Sequence, residues 1–142
     1  MTSICFVACH FAAHVDNTDN RNKNFHDICK RLIFTQYDPP MKITEHDMVY
    51  WMGDLNYRID NIEVDLVKKA LEMDNLEELL QNDQLRLMKN QGMVFPGFIE
   101  GKINFKPTYK FDPGELPIIS TTCVQHQSCP TCVQHQSCPT CP

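Results

Sequence analysis

Asp54 and Asn56 flank a single leucine in Trp51-Met52-Gly53-Asp54-Leu55-Asn56-Tyr57-Arg58, just after the apolar run Met48-Val49-Tyr50. In an extended chain, side chains two residues apart share a face, which sets a carboxylate beside an amide. Such a pair suits hydrolysis of a phosphate ester. The carboxylate can orient or deprotonate a water, and the amide N–H can hold negative charge on the phosphoryl oxygens as the transition state forms. The same residues also fit a plain structural role, because Asp and Asn both close Asx turns after strands. An imidazole is available at His10, at the end of another apolar run, Ile4-Cys5-Phe6-Val7-Ala8-Cys9. A phenol and a compact cation follow at Tyr109 and Lys110, and Arg58 either binds phosphate or braces the Asp54–Asn56 turn through an ion pair.

Elements must bring these groups together. Residues 4–9 predict a buried strand that delivers His10. Phe25, Ile28, Cys29 and Leu32 recur at helical spacing after the Asp/Asn cluster at 16–20, so an amphipathic helix follows, stopped before Pro39-Pro40. Residues 47–53 predict a second strand, delivering Asp54 and Asn56. Val64, Val67 and Leu71, then Leu76, Leu79 and Leu80, then Leu85 and Met88 mark two or three short helices, with Asn75 and Asp83 as caps and Gly92 as a stop. Alternation at Ile103 and Phe105 predicts one further short strand before a Pro/Gly-punctuated loop carrying Tyr109 and Lys110. Strand, helix, strand, helices is the α/β order.

A chain of 142 residues, 42% hydrophobic and 22% charged, is the length of one domain with a globular composition. Its net charge of −5 comes without an obvious basic block, which argues against nucleic acid as a partner. No apolar run approaches the roughly 20 residues that cross a bilayer, and Met1-Thr2-Ser3 lacks a cationic signal start, so the expected location is the cytoplasm. Only Cys5, Cys9 and Cys29 of the eight cysteines lie in the first 115 residues. They read as small buried hydrophobes.

Residues 116–142 are different. They contain no Asp, Glu, Lys or Arg, and Cys-Val-Gln-His-Gln-Ser-Cys-Pro-Thr stands at 123–131 and again at 132–140. With one apolar valine per unit, this stretch is expected to be a disordered extension to a domain at 1–115. Its two Cys-x-x-Cys units, Cys129–Cys132 and Cys138–Cys141, could enclose Zn²⁺ with four thiolates, but only five residues separate the pairs, short for a zinc ribbon. A sequence expansion without selected chemistry is the simpler reading.

Five blocks in order resemble the inositol polyphosphate 5-phosphatases, nearest the type II enzymes, within the endonuclease/exonuclease/phosphatase superfamily. They are residues 9–14, Arg21-Asn22, His46-Asp47 with 51–58, Asp83-Gln84-Leu85, and 98–112. The resemblance implies an incomplete four-layer α/β sandwich of the DNase I-like type. It implies a phosphoric monoester hydrolase that removes the 5-phosphate from phosphoinositides or soluble inositol polyphosphates, with peripheral contact at membrane surfaces. By resemblance, His10 contacts the scissile phosphate and assists the leaving group, Asp54 orients or activates the water, and Asn56 holds the phosphoryl oxygens. Tyr109 and Lys110 would grip the neighbouring ring phosphate, with Arg58 beside them as a further substrate contact, and Mg²⁺ would supply the Lewis acid. His14 and His46 are read as structural.

The chain also departs from the pattern. Ala8 and Cys9 stand where the family places an asparagine and a hydroxyl residue. The segment with the principal metal-binding glutamate, and the later Pro-Ala/Ser-Trp-x-Asp-Arg and Ser-Asp-His segments, do not occur in these 142 residues. Asp54 and Asn56 alone make a thin oxygen set for Mg²⁺, so impaired or absent turnover and marginal stability are expected of the isolated chain. The alternative is a truncated, non-catalytic product or a module that binds inositol phosphates.

Overall fold

The computed structural model describes residues 2–107 and 133–136. Strand β1 (Ile4–His10) leads through a loop into helix α1 (Thr18–Arg31), and the chain returns in strand β4 (Met48–Asp54), parallel to β1. Between them lie the two-residue strands β2 (Ile33–Phe34) and β3 (Met41–Lys42), paired antiparallel, and a 3₁₀ turn at Ile43–Glu45. Helices α2 (Val64–Glu72), α3 (Leu76–Leu80) and α4 (Gln84–Asn90) precede strand β5 (Phe98–Glu100). Strand β6 (Val133–Gln136) completes a four-stranded sheet in the order β1-β4-β6-β5.

The parallel β1–β4 pair follows from the helix between the strands, because a crossover of this kind carries the chain back to the same end of the sheet. Alternation along β1 buries Cys5 and Val7 while Ile4 and Phe6 face outward. Trp51 and Val49 on β4 are fully buried. Around Trp51 stand Phe25 from α1 with ring centroids 5.1 Å apart, Phe95 at 5.3 Å and Phe98 at 6.1 Å. Tilted and edge-on contacts of this kind suit the ring quadrupoles. A second cluster, Ile59, Val67, Ala70, Leu71 and Leu79, holds α2 and α3 together.

Most expected elements are present, including the three short helices. Asp83 caps α4 by accepting a hydrogen bond from Leu85 N at 2.9 Å. Asn75 makes no cap bond to the backbone; its side-chain amide donates to Glu78 at 2.8 Å. Two placements differ. The last strand before the Pro/Gly loop is Phe98–Glu100, not the Ile103/Phe105 stretch, because Phe98 reaches the aromatic core whereas Phe105 is 47% exposed. Within the extension expected to lack structure, residues 133–136 pair antiparallel with both β4 and β5. Backbone pairing needs no apolar side chains, and an open β4 edge accepts any extended segment.

Candidate active site

Parallel pairing in register sets His10 opposite Asp54 at the carboxyl ends of β1 and β4. Gly53 makes the approach possible. Its φ of +123° is a conformation L side chains rarely adopt, and a Cβ there would stand 2.1 Å from the Cys9 carbonyl oxygen. Only a residue without Cβ fits between the two strand ends. His10 Nε2 lies 3.6 Å from Asp54 Oδ2, and both side chains open to solvent, at 73% and 40% exposure. The other carboxylate oxygen, Oδ1, accepts from Asn56 N at 3.0 Å, the Asx turn expected of this sequence.

Asn56 corrects the reading of a shared face. The strand ends at Asp54, and Asn56 has φ +56°, so the two-residue alternation no longer applies. Its side chain turns inward and is buried. Nδ2 donates to Phe11 O at 2.9 Å, and Oδ1 accepts from an Arg58 Nη2 at 2.6 Å. Arg58 is likewise corrected as a substrate contact. It is 1% exposed and grips Asn56 twice, its Nε also donating to Asn56 O at 2.9 Å. The bracing alternative is the one present, though the brace is an amide rather than a carboxylate. Desolvation lowers the Arg58 pKa and nearby Asp54 raises it; the charge is retained because guanidinium stays protonated far above neutrality.

A buried polar network that sequence reasoning missed underlies the site. Arg21, fully buried on α1, donates to the carbonyls of Ala12 at 3.2 Å, His14 at 2.6 Å and Val15 at 3.0 Å. It thereby shapes the loop that leaves His10. Gln84 on α4 accepts from Arg21 and from Arg58 N, and donates to Val15 O and to Asp60, both at 3.1 Å. One side-chain amide therefore ties the loop after β1 to the segment after β4. Tyr57 donates to Asn22 Oδ1 at 2.7 Å beneath the Arg21 guanidinium, and burial pushes its phenol pKa up. Arg21-Asn22 and Asp83-Gln84-Leu85 stand out in the sequence as matching blocks, but their partners lie up to 69 residues away. No local pattern shows that.

Cys9 replaces the expected hydroxyl without leaving its neighbours unpaired. Trp51 Nε1 donates to its sulfur at 3.0 Å, and the thiol faces Met52 O at 3.7 Å. His46 is structural as expected, buried with Nδ1 3.0 Å from Lys42 O and ringed by Phe34 and Tyr37. Exposed His14 contributes its carbonyl to Arg21. Tyr109 and Lys110 lie outside the described residues. So do the paired Cys-x-x-Cys units.

The fit to a divalent cation is poor in the described part. No group of three or more His, Cys, Asp and Glu side chains is gathered there. At the strand ends Asp54 Oδ1 is held in the turn and Asn56 Oδ1 by Arg58, which leaves Asp54 Oδ2, beside His10, as the carboxylate oxygen outside the turn. A hard cation that takes six oxygen ligands needs more than this.

A helix-backed sheet with an imidazole and a carboxylate at its parallel strand ends defines an α/β protein of the DNase I-like type. Endonuclease/Exonuclease/phosphatase family 2 matches residues 1–130, and the chain belongs to that family. Over 116 residues it is 46% identical to the mouse (Mus musculus) type II inositol 1,4,5-trisphosphate 5-phosphatase, covering 80% of this chain and 12% of that protein. Human (Homo sapiens) synaptojanin-1 is 45% identical over 113 residues, covering 78% and 7% respectively. The inositol polyphosphate 5-phosphatase domain of SpSynaptojanin, solved with inositol (1,4)-bisphosphate and a calcium ion, superposes with a TM-score of 0.83 at 34% identity. That match covers 96% of this chain and 40% of that one. The chain thus spans a small part of the length of the curated relatives it matches.

Proposed function

We propose that this chain is part of a 5-phosphatase catalytic domain that hydrolyses the 5-phosphate monoester of inositol polyphosphates or phosphoinositides. The observation that carries the reading is His10 Nε2 3.6 Å from Asp54 Oδ2 at an open strand end, in a chain similar to inositol 5-phosphatases. Asp54 Oδ2 lies outside the turn, where it orients the attacking water. His10 contacts the phosphate and supplies a proton toward the leaving alkoxide. Asn56 donates one amide hydrogen to Phe11 O, and Arg58 holds the amide in place behind the phosphoryl oxygens that it would serve. Tyr109 and Lys110 bind the neighbouring ring phosphate.

Mg²⁺ is the proposed metal of the complete site, where it supplies Lewis-acid stabilisation of the phosphoryl oxygens. The described residues do not hold it on their own. The substrate lies in the cytoplasm or on the membrane surface facing it, and nucleic acid is not a partner, in keeping with the net charge of −5. Among the described residues no helix is long and apolar enough to cross a membrane.

Phosphate release from a soluble inositol polyphosphate with Mg²⁺ tests the activity. Turnover lost in Asp54→Ala supports it, and release equal to that of Asp54→Ala removes it. A second reading, a module that binds inositol phosphates without turnover, is favoured by the thin metal-ligand set. Calorimetric titration decides that one: a saturable isotherm without hydrolysis supports it, and no binding eliminates it.

A further inference from the structure

Gln84 is the first residue of α4, and its side chain is buried. A carboxamide carries two acceptor lone pairs and two N–H donors, and here all four are used. Oε1 accepts from an Arg21 Nη2 and, at 3.1 Å, from Arg58 N; Nε2 donates to Val15 O and Asp60 Oδ2, both at 3.1 Å. The partners fix which way the amide points, because a guanidinium and a backbone N–H only donate, whereas a carbonyl and a carboxylate only accept. The Gln84 backbone binds the same segment, its N–H donating to Arg58 O at 2.9 Å. Side chain and backbone together therefore hold Arg58 from both sides of its peptide unit.

These bonds close a circuit through the candidate site. Arg58 N donates to Gln84 Oε1, Arg58 Nη2 donates to Asn56 Oδ1 at 2.6 Å, and Asn56 Nδ2 donates to Phe11 O at 2.9 Å. Further along the same loop, Val15 O returns the circuit to Gln84 Nε2, while Arg21 clasps the carbonyls of Ala12, His14 and Val15. Arg21, Asn56, Arg58 and Gln84 are all buried, so water does not compete for these bonds. Asn56 also stands at φ +56°, a sparsely populated conformation that persists only where its surroundings hold it. We propose that Gln84 is a positioning residue of the site. It sets the Asn56 carboxamide by fixing both anchors of that group, Arg58 on one side and the loop from Phe11 to Val15 on the other. Its part in turnover rests on the phosphatase function proposed above; its hold on Asn56 does not. Glutamate has the same shape but cannot do this, because its second oxygen would face Val15 O and Asp60 Oδ2, acceptor against acceptor.

Hydrogen exchange followed by nitrogen-15 NMR of the 142-residue chain tests this. In the parent, the side-chain N–H protons of Gln84 and Asn56 are expected to exchange at least about tenfold more slowly than in the chain unfolded in urea. Exchange as fast as in the unfolded chain at either residue overturns the proposal before any substitution is made. In Gln84→Glu the Asn56 side-chain cross-peaks are expected to move and lose their protection, while the backbone amides of Cys5 and Val49, paired within the β1–β4 ladder, stay in place. Unmoved Asn56 cross-peaks would show that the amide is held without Gln84, and ladder amides that shift as far as Asn56 would show that Gln84 only stabilises the fold; either result overturns the proposal. Gln84→Met keeps the bulk, adds no charge and is expected to give the same pattern, so it serves where Gln84→Glu does not fold. Phosphate release is a separate arm. Gln84→Glu is expected to lower kcat about tenfold or more with KM within about twofold of the parent, and an unchanged kcat overturns the part in turnover. No release from the parent chain counts against the proposed function and leaves the hold on Asn56 to be judged by exchange.

Discussion

Arg58 shows how far a side chain's neighbourhood decides its role. A guanidinium two residues beyond Gly-Asp-Leu-Asn could serve a phosphate or a turn, and the sequence leaves both open. The chain settles the choice by burying it against Asn56 O and Oδ1. Lysine cannot reproduce the planar fork, and an abandoned buried acceptor costs about 1–3 kcal/mol. Arg58→Lys is therefore expected to lower stability by about 2 kcal/mol in urea unfolding and, in any chain that turns over, to lower kcat more than it raises KM. An unchanged urea midpoint would show that the two hydrogen bonds contribute nothing. His10 and Asp54 were legible because each ends an apolar run and strand ends gather polar groups. Asn56 was misread because nothing in Asp-Leu-Asn announces that the strand stops one residue too early for alternation to hold.

Gly53 governs how strands β1 and β4 meet. Alanine at φ +123° would be strained wherever it stood, and here its Cβ would meet the Cys9 carbonyl oxygen at 2.1 Å. That obstacle is backbone within a ladder and cannot swing aside. Gly53→Ala is expected to cost about 3 kcal/mol or more and to separate His10 from Asp54, measured as a fall in urea midpoint together with loss of phosphate release. Stability within about 0.5 kcal/mol of the parent, the ordinary range for harmless surface changes, would mean the strand ends yield easily. The helices were legible from their apolar spacing, and α4 even from its Asp83 cap. Strand β5 was misplaced by five residues because Ile103 and Phe105 alternate as well as Phe98 does; what separates them is contact with Trp51 and Phe95. Arg21 and Gln84 were opaque for a related reason, since a buried polar network is defined by partners distant in sequence.

Stability of the whole molecule should carry the mark of Asp83. Burial pushes its carboxyl up from an ordinary 3.8 to about 6, offset in part by the Leu85 N–H and raised further by Glu100. The folded chain thus holds this proton more tightly than the unfolded chain does. Its contribution is fully present below about pH 4 and disappears as pH climbs through 6. A shift of this size corresponds to at most about 3 kcal/mol, less in practice because the side chain is only partly enclosed. Asp47 acts oppositely but elsewhere: hydrogen bonds from Ser3 N–H and hydroxyl hold its carboxyl below the usual range, so its effect falls below pH 4. Asparagine caps a helix as well as aspartate does and carries no charge to desolvate. Asp83→Asn is accordingly expected to be about 1–2 kcal/mol more stable than the parent at pH 7 and equal to it near pH 4, with a flatter urea midpoint between pH 4 and 6. A variant that keeps the parent's slope would show that another group titrates there. One less stable at pH 7 would show that the carboxylate, buried or not, stabilises the first turn of α4 through its charge.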